Sequence, residues 1–353
     1  MNSNCTPDYK VMKASIADFA KPNPYIYWSD FLITTISAWG LFYLAIKASQ
    51  SDGLYYLLIF LSAIGFYRAL AFTHELAHLR KGAVPGFSFI WHVICGIPFL
   101  APHFLYRTVH VAHHSKKNYG KDTDGEYISF GTSSKWLIIA HFLFNLLIPL
   151  SSISRFMIIA PISLFNSRLR LFVMERMSFI GLKFSFSREV PIRKSEMTGW
   201  YVAEFSCCLF CWLVFASLIT KTITLTFLFQ WYMIIIIVLT LNSLRTLGAT
   251  HWYVSEGTDL NFTDQIKDSI SIRSKSLLTK ILCPVGTQYH ALHHMFPSIP
   301  YHSLGKVYER LLANFPEEKI LLETSRPNLF ASWQEVWALS RKKREIEVSD
   351  IYH

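Results

Sequence analysis

Four stretches of this chain, residues 31–46, 54–72, 199–220 and 222–244, are apolar and together carry two charges, Arg68 and Glu204. A helix needs about 20 such residues to cross the hydrocarbon of a bilayer. In lipid every backbone N–H and C=O must find its partner within the segment, so helices are the natural solution. The expected class is therefore an all-α integral membrane protein with four transmembrane helices. The first span is extended at its start by the interfacial aromatics Tyr25, Tyr27 and Trp28. Very short loops, residues 49–53 and the neighbourhood of Lys221, join the first span to the second and the third to the fourth. The spans should form two hairpins.

Charge gives the orientation. Lys and Arg outnumber Asp and Glu by 34 to 24, a net charge of +10. Basic residues collect between the hairpins (Arg80, Lys81, Lys116, Lys117, Lys121, Arg168, Arg170, Arg176, Arg188, Arg193, Lys194) and after the second (Lys267, Arg273, Lys275 and RKKRE at 341–345). The positive-inside rule then puts both termini in the cytoplasm, with about 1–28 as an N-terminal tail and about 306–353 as a C-terminal helical segment of a single domain, 1–353. This distribution suits an anionic membrane surface, and no nucleic-acid partner is expected. The N-terminus lacks the apolar core and small-residue cleavage site of a secretory signal. Cys207, Cys208 and Cys211 sit inside an apolar run, read as packing rather than as a disulfide framework.

Fourteen histidines are present, and eight fall into three clusters: His74-x-x-x-His78, His110-x-x-His113-His114 and His290-x-x-His293-His294. Residues i, i+3 and i+4 share one helix face, so each cluster aims its imidazoles one way. At this His content the HxxHH pattern is expected by chance about 0.02 times per chain, and it occurs twice. The pattern points to metal ligation. Eight imidazoles are too many for one ion, which takes about four, so two ions sharing them is the economical reading. Imidazole suits iron, copper and zinc alike, and the residues alone leave these open.

A shared site constrains topology. His74 follows the second span directly, so residues 82–106, although uncharged and long enough, must dip and return or lie in the interface. Otherwise the second cluster would emerge on the opposite face. Pro98 and Pro102 suit a broken helix there. The same parity makes 136–154 an in-plane or re-entrant segment, giving a cytoplasmic histidine-rich cap on two hairpins.

At these residues the sequence resembles the membrane fatty acid desaturase superfamily of desaturases, hydroxylases and ketolases, and most closely its bacterial-type fatty acid desaturases. The likeness runs through HELAH, HVAHH and HALHH. It continues in HHSKKNYGKDTDGEY at 113–127, NSLRTLGATHWY at 242–253, QIKDSISI at 265–272 and PVGTQYHALHHMFPSIPYHSLGKVYERL at 284–311. It implies a non-haem di-iron site that uses O2 as co-substrate, an acyl chain in a bent tunnel, and two electrons from a separate ferredoxin- or cytochrome b5-type carrier. It also implies a ninth ligand, His251, besides His74, His78, His110, His113, His114, His290, His293 and His294, with no catalytic residue apart from the metal ligands. The implied reaction is desaturation of a long fatty acyl chain in lipid metabolism; hydroxylation, keto or acetylenic chemistry on the same motifs is the alternative. A bacterial inner membrane, rather than the endoplasmic reticulum, is the expected location.

Glu75 in HELAH would be the general base of a zinc protease, but that reading leaves both HxxHH clusters without a role. On the di-iron reading Glu75 is an acceptor orienting an imidazole, and Asp124, Glu126 and Asp268 are candidates for the same task. A transporter or haem protein would instead place its ligands within the spans. His92, His103, His141 and His302 lack cluster spacing and are read as structural; a pair between Arg68 and Glu204, and contact of Arg245 with an acid near His251, are weighed.

Overall fold

The computed structural model describes residues 8–178, 183, 186–188, 194–249 and 254–340. The described residues are mostly helical, with one pair of two-residue strands among them. Four helices are long and apolar enough to cross a membrane: α1 (Pro24–Lys47), α2 (Gly53–His78), α5 (Lys194–Ile219) and α6 (Leu225–Gly248), with α3 (Phe104–His113) and α4 (Lys135–Phe144) between the hairpins. At 1.5 Å per residue each long helix reaches about 36–39 Å, beyond the roughly 30 Å hydrocarbon core. This is a multi-pass membrane protein. The cap end of the bundle carries α7 (His290–Met295), α8 (Tyr301–Asn314) and α9 (Leu329–Ser340).

The first hairpin is a packed pair. Pro24 opens α1 behind the Asn23 cap, so the helix begins before the sequence boundary at about 28. Ala38 faces Gly65 so closely that a Cβ on the glycine would sit 2.8 Å from the alanine's, and Ser62 donates to the Ala38 carbonyl at 2.9 Å. Small residues let two helix backbones approach where no hydrophobic drive separates them from lipid. The second hairpin differs from that simple picture. α6 packs mainly on α2 and α9, while α5 leans on the segment at 155–163. α9 comes so near that a Cβ on Gly248 would collide with the Trp333 indole, whose Nε1 donates to the Leu244 carbonyl at 2.9 Å.

The segment 82–106 does not cross. Its helical part, Phe87–Gly96, spans ten residues, about 15 Å. The chain then turns through buried Phe99 and Leu100. Trp231 of α6 donates to the Pro98 carbonyl at 2.7 Å, so this turn is buried in protein and its carbonyl satisfied. α4 and Ile148–Ser163 are bent by 50° at residues 145–147, the geometry of a broken or re-entrant helix rather than one straight span.

The charges within the spans pair differently from the Arg68–Glu204 pairing weighed above. Arg68 grips Asp30 of α1 through two nitrogens, Nε at 3.0 Å, and Tyr301 donates to the same carboxylate at 2.9 Å. Glu204 of α5 takes Arg155 at 2.9 Å and Arg170 at 2.7 Å. Each charge found the opposite charge lying at its own depth on a neighbouring segment, which sequence order does not reveal.

The two ends of the chain build the cap together. Met12 of the N-terminal helix Tyr9–Ser15 and Ile16 at its C-cap bury against Leu292, Met295, Leu304, Val307 and Leu311. Gly286, at φ 71°, lets the loop pass beneath α8, where a Cβ would lie 2.8 Å from Leu304 and 2.9 Å from Tyr301. The strand pair Ser271–Ile272 with Ser325–Arg326 braces α7: Gln288 donates to the Ile272 carbonyl at 2.7 Å, and the Ala291 N–H donates to Ser271 Oγ at 3.2 Å. The run 341–345 lies outside the described residues.

Candidate metal centre

All three histidine clusters meet at one end of the bundle. His74 and His78 occupy the last turn of α2, His110 and His113 the end of α3 with His114 just after it, and His290, His293 and His294 make up α7. Their ring nitrogens fall into two groups: His74, His78, His110, His114 and His293 in one, His113, His290 and His294 in the other, each within 4.8 Å. His251 lies outside the described residues.

The spacing within the first group suits a bound cation. Four Nε2 atoms form a closed ring: His78 to His110 2.9 Å, His110 to His114 3.2 Å, His114 to His293 3.2 Å and His293 to His78 3.1 Å. A metal about 2.0–2.1 Å from each imidazole nitrogen holds neighbouring nitrogens about 2.9 Å apart at right angles and about 3.4 Å at tetrahedral ones. In the second group His290 and His294 are 3.1 Å apart through Nε2.

Buried acids set the ring tautomers. Glu126 accepts from His110 Nδ1 at 2.9 Å, with the Tyr106 hydroxyl also 2.9 Å from that nitrogen. Asp124, wholly buried, accepts from His113 Nδ1 at 2.7 Å. A proton held on Nδ1 leaves Nε2 as a lone pair aimed at the other imidazoles, which is the form a ligand needs. Asp124 is itself fixed by the N–H groups of Gly120 at 2.9 Å, Glu126 at 3.0 Å and Tyr127 at 3.2 Å.

The electrostatics agree. Burial and the neighbouring imidazoles hold His110, His293 and His294 well below the ordinary histidine range, hence neutral. Burial acts the same way on His113, but the charge and hydrogen bond of Asp124 outweigh it and lift this one imidazole. Asp124 in turn lies below the usual carboxylate range; burial opposes this and His113 overrides it. Burial pushes the Glu126 carboxyl up to about 7, against the pull of His113 and Arg245.

The remaining acids sit differently. Glu75 turns away from the imidazoles: Oε2 accepts from the Tyr27 hydroxyl and the Tyr301 N–H, while Oε1 is 4.0 Å from His74 Nδ1, beyond hydrogen-bond reach. It ties α1, α2 and α8 together beside the site. Asp268 accepts from Tyr119 at 3.0 Å and Tyr127 at 2.7 Å, behind His113. Arg245 makes no ion pair among the described residues; it bonds Asn242 and Thr246 of its own helix. Tyr106, Tyr119 and Tyr127 join the site without a histidine-type motif to mark them. Tyr106 stands one turn before His110, a signal that i, i+4 spacing offers; the other two meet Asp268 only through folding. His92, His103 and His302 have structural partners, whereas neither ring nitrogen of His141 has one among the described residues.

A cavity of about 260 Å³ opens beside the histidines, with Trp91, Ile128, Val238 and Leu239 among its apolar walls and His74, His110 and His290 at its metal side. Histidine groups of this kind, closing at the end of four spans beside a partly apolar cavity, match a known family. The fatty acid desaturase family model covers residues 51–325. This chain belongs to that family. Among proteins of described function, it is similar to a ceramide hydroxylase of Caulobacter vibrioides, 33% identical over 328 residues and 92% of each chain. Desaturase-family membership together with this relative makes the protein a lipid oxidase of the desaturase and hydroxylase type.

Proposed function

We propose that this protein hydroxylates a long-chain lipid of the ceramide type, consuming O2 and two external electrons at a histidine-held di-iron centre. The observation that carries the reading is the gathering of eight imidazoles into two groups, with His74, His110 and His290 also lining a partly apolar cavity. The similarity to a ceramide hydroxylase along nearly the whole chain favours hydroxylation over double-bond formation. The balance is R–H plus O2, two electrons and two protons giving R–OH and water.

His74, His78, His110, His114 and His293 would hold one iron, and His113, His290 and His294 the other, with His251 as the ligand that family resemblance adds. Bound irons supply the O2 activation that no side chain here can provide, since breaking an unactivated C–H bond is cofactor chemistry. The rest falls to the chain. Asp124 and Glu126 keep His113 and His110 in the ligating tautomer. The Glu75 tie to Tyr27 and Tyr301 holds α2 at the angle that presents His74 and His78. The apolar cavity walls keep water from the reacting carbon and orient the chain. Electrons come from a separate carrier of the ferredoxin or cytochrome b5 class, and the basic segments favour a cytoplasmic cap.

Desaturation of a fatty acyl chain is the second reading, favoured by the family match itself. Expression in a host that makes both ceramides and acyl lipids, followed by mass spectrometry, separates the two. Products heavier by one oxygen support hydroxylation; products lighter by two hydrogens overturn it in favour of desaturation.

A further inference from the structure

One wall of the cavity is unlike the tunnel that a plain hydrocarbon chain requires. The cavity that His74 and His110 line is also lined by His141 of α4, Asn145 at the C-terminal cap of that helix, and Asn242 and Arg245 of α6. All four are polar, and they come from two segments that the sequence marks as apolar.

Among the described residues the protein leaves His141 without partners and Arg245 without an ion pair. Both ring nitrogens of His141 are shielded from solvent and have no hydrogen-bond partner among the described residues. Arg245, the only charged residue of α6, bonds Asn242 and Thr246 at 3.1–3.3 Å and also interacts with Tyr67 and the Glu126 carboxyl, but it forms no ion pair among the described residues. Asn242 is exposed and lines the same cavity, in the last two turns of a membrane-spanning helix. Polar groups at that depth are costly and persist where they line a path or bind a ligand. Asn145 is already committed through Nδ2 to Ser243 at 3.0 Å, which fixes this wall rather than leaving it mobile.

We infer that His141 and Arg245 bind the polar part of the substrate lipid, an amide flanked by hydroxyl groups, and thereby choose which carbon is oxidised. This deepens the ceramide reading above and rests on it. The chemistry fits: Arg245 offers donors to an amide carbonyl or hydroxyl oxygen, and a His141 nitrogen takes up a hydroxyl as acceptor or donor. The cavity is smaller than the roughly 300–1,000 Å³ usual for a whole medium-sized ligand, so it receives the head of a long lipid and leaves the tails in the bilayer. With the head against His141 and Arg245, the carbon facing His74 and His110 lies within a few bonds of the amide. Oxygen should enter near the head, not in mid-chain.

The test uses full-length protein in detergent and reads binding apart from turnover. A short-chain N-acyl sphingoid lipid should raise the Tm of the wild type, and a fatty acid methyl ester of equal length should not. His141→Phe and Arg245→Met should each weaken the response about tenfold in lipid concentration, the loss expected when one hydrogen bond to a buried polar head is removed. His141→Gln and Arg245→Lys, which keep a polar tip, should recover part of it. Unchanged metal content and unchanged Tm without lipid show that a variant is intact. Equal response to the methyl ester, no response in the wild type, or full response in both apolar variants overturns the assignment. A wild type that oxidises plain acyl chains yet ignores the sphingoid lipid refutes the head site while leaving lipid oxidation standing; a protein without metal or lipid product refutes the function itself.

Discussion

Replacing Asp124 by Asn tests how the metal ligands are held. One carboxylate oxygen accepts from His113 Nδ1 at 2.7 Å and from the Gly120 N–H at 2.9 Å; the other accepts from the N–H groups of Glu126 and Tyr127. An amide of the same shape can serve only one of these sides as an acceptor. If its oxygen stays with Glu126 and Tyr127, its NH2 meets two donors. The Gly120 N–H is then orphaned, and His113 must move its proton to Nε2, the nitrogen that should ligate. A hydrogen bond to a charged group contributes about 1.5–3 kcal/mol, so losing the two on one oxygen costs about 3–6 kcal/mol before the tautomer shift recovers part of it. Orienting partners of this kind typically contribute 10–100-fold in metal affinity, about 1.4–2.7 kcal/mol, and Asp124→Asn should fall in that range. The assay is competition with a chelator on purified protein, followed by elemental analysis. Asp124→Asn that keeps its metal against the same chelator concentration as wild type, within twofold, refutes the reasoning.

Other consequences are independent of that one. Glu204→Ala leaves Arg155 and Arg170 buried without their shared acid; breaking a buried pair costs about 3–5 kcal/mol, so thermal stability in detergent should drop while metal content per folded chain stays the same. Gly286→Ala puts a Cβ 2.8 Å from Leu304 on a left-handed backbone, at a cost of about 1–3 kcal/mol, and should loosen α7 enough to lower occupancy of the His113, His290 and His294 group, read by elemental analysis. Alanine at His78, His113 or His293 should each abolish lipid product while membrane insertion, followed by fractionation, persists; product from two of the three would contradict a shared site.

Much of this architecture was legible because it is written in local periodicity. Long charge-free runs mark the spans, and i, i+3, i+4 spacing marks the histidine faces. The need to bring His110–His114 to the same end as His74 was enough to deny 82–106 a full crossing. What stayed hidden depends on who meets whom across the bundle. Arg68 and Glu204 look like partners in a list of span charges, yet Arg68 is taken by Asp30 and Glu204 by Arg155 and Arg170. Glu75 reads as a histidine-orienting acid from HELAH, but the helix turn that points His74 and His78 into the site points Glu75 at Tyr27 and Tyr301. Asp124 and Glu126, by contrast, sit in the loop that follows the second cluster, 11 and 16 residues from the histidines they meet, so the contacts are local in sequence. His141 lacked cluster spacing and so looked structural; its place on the cavity wall is a property of the bend at 145–147.

The central claim is that histidines from three distant segments close around two ions, five donors to one group and three to the other. Elemental analysis of active, purified protein, with Mössbauer spectroscopy on iron-57-grown material, tests it most directly. The account predicts two irons per chain in unequal ligand environments. One zinc per chain, or full activity in protein without iron, would contradict it.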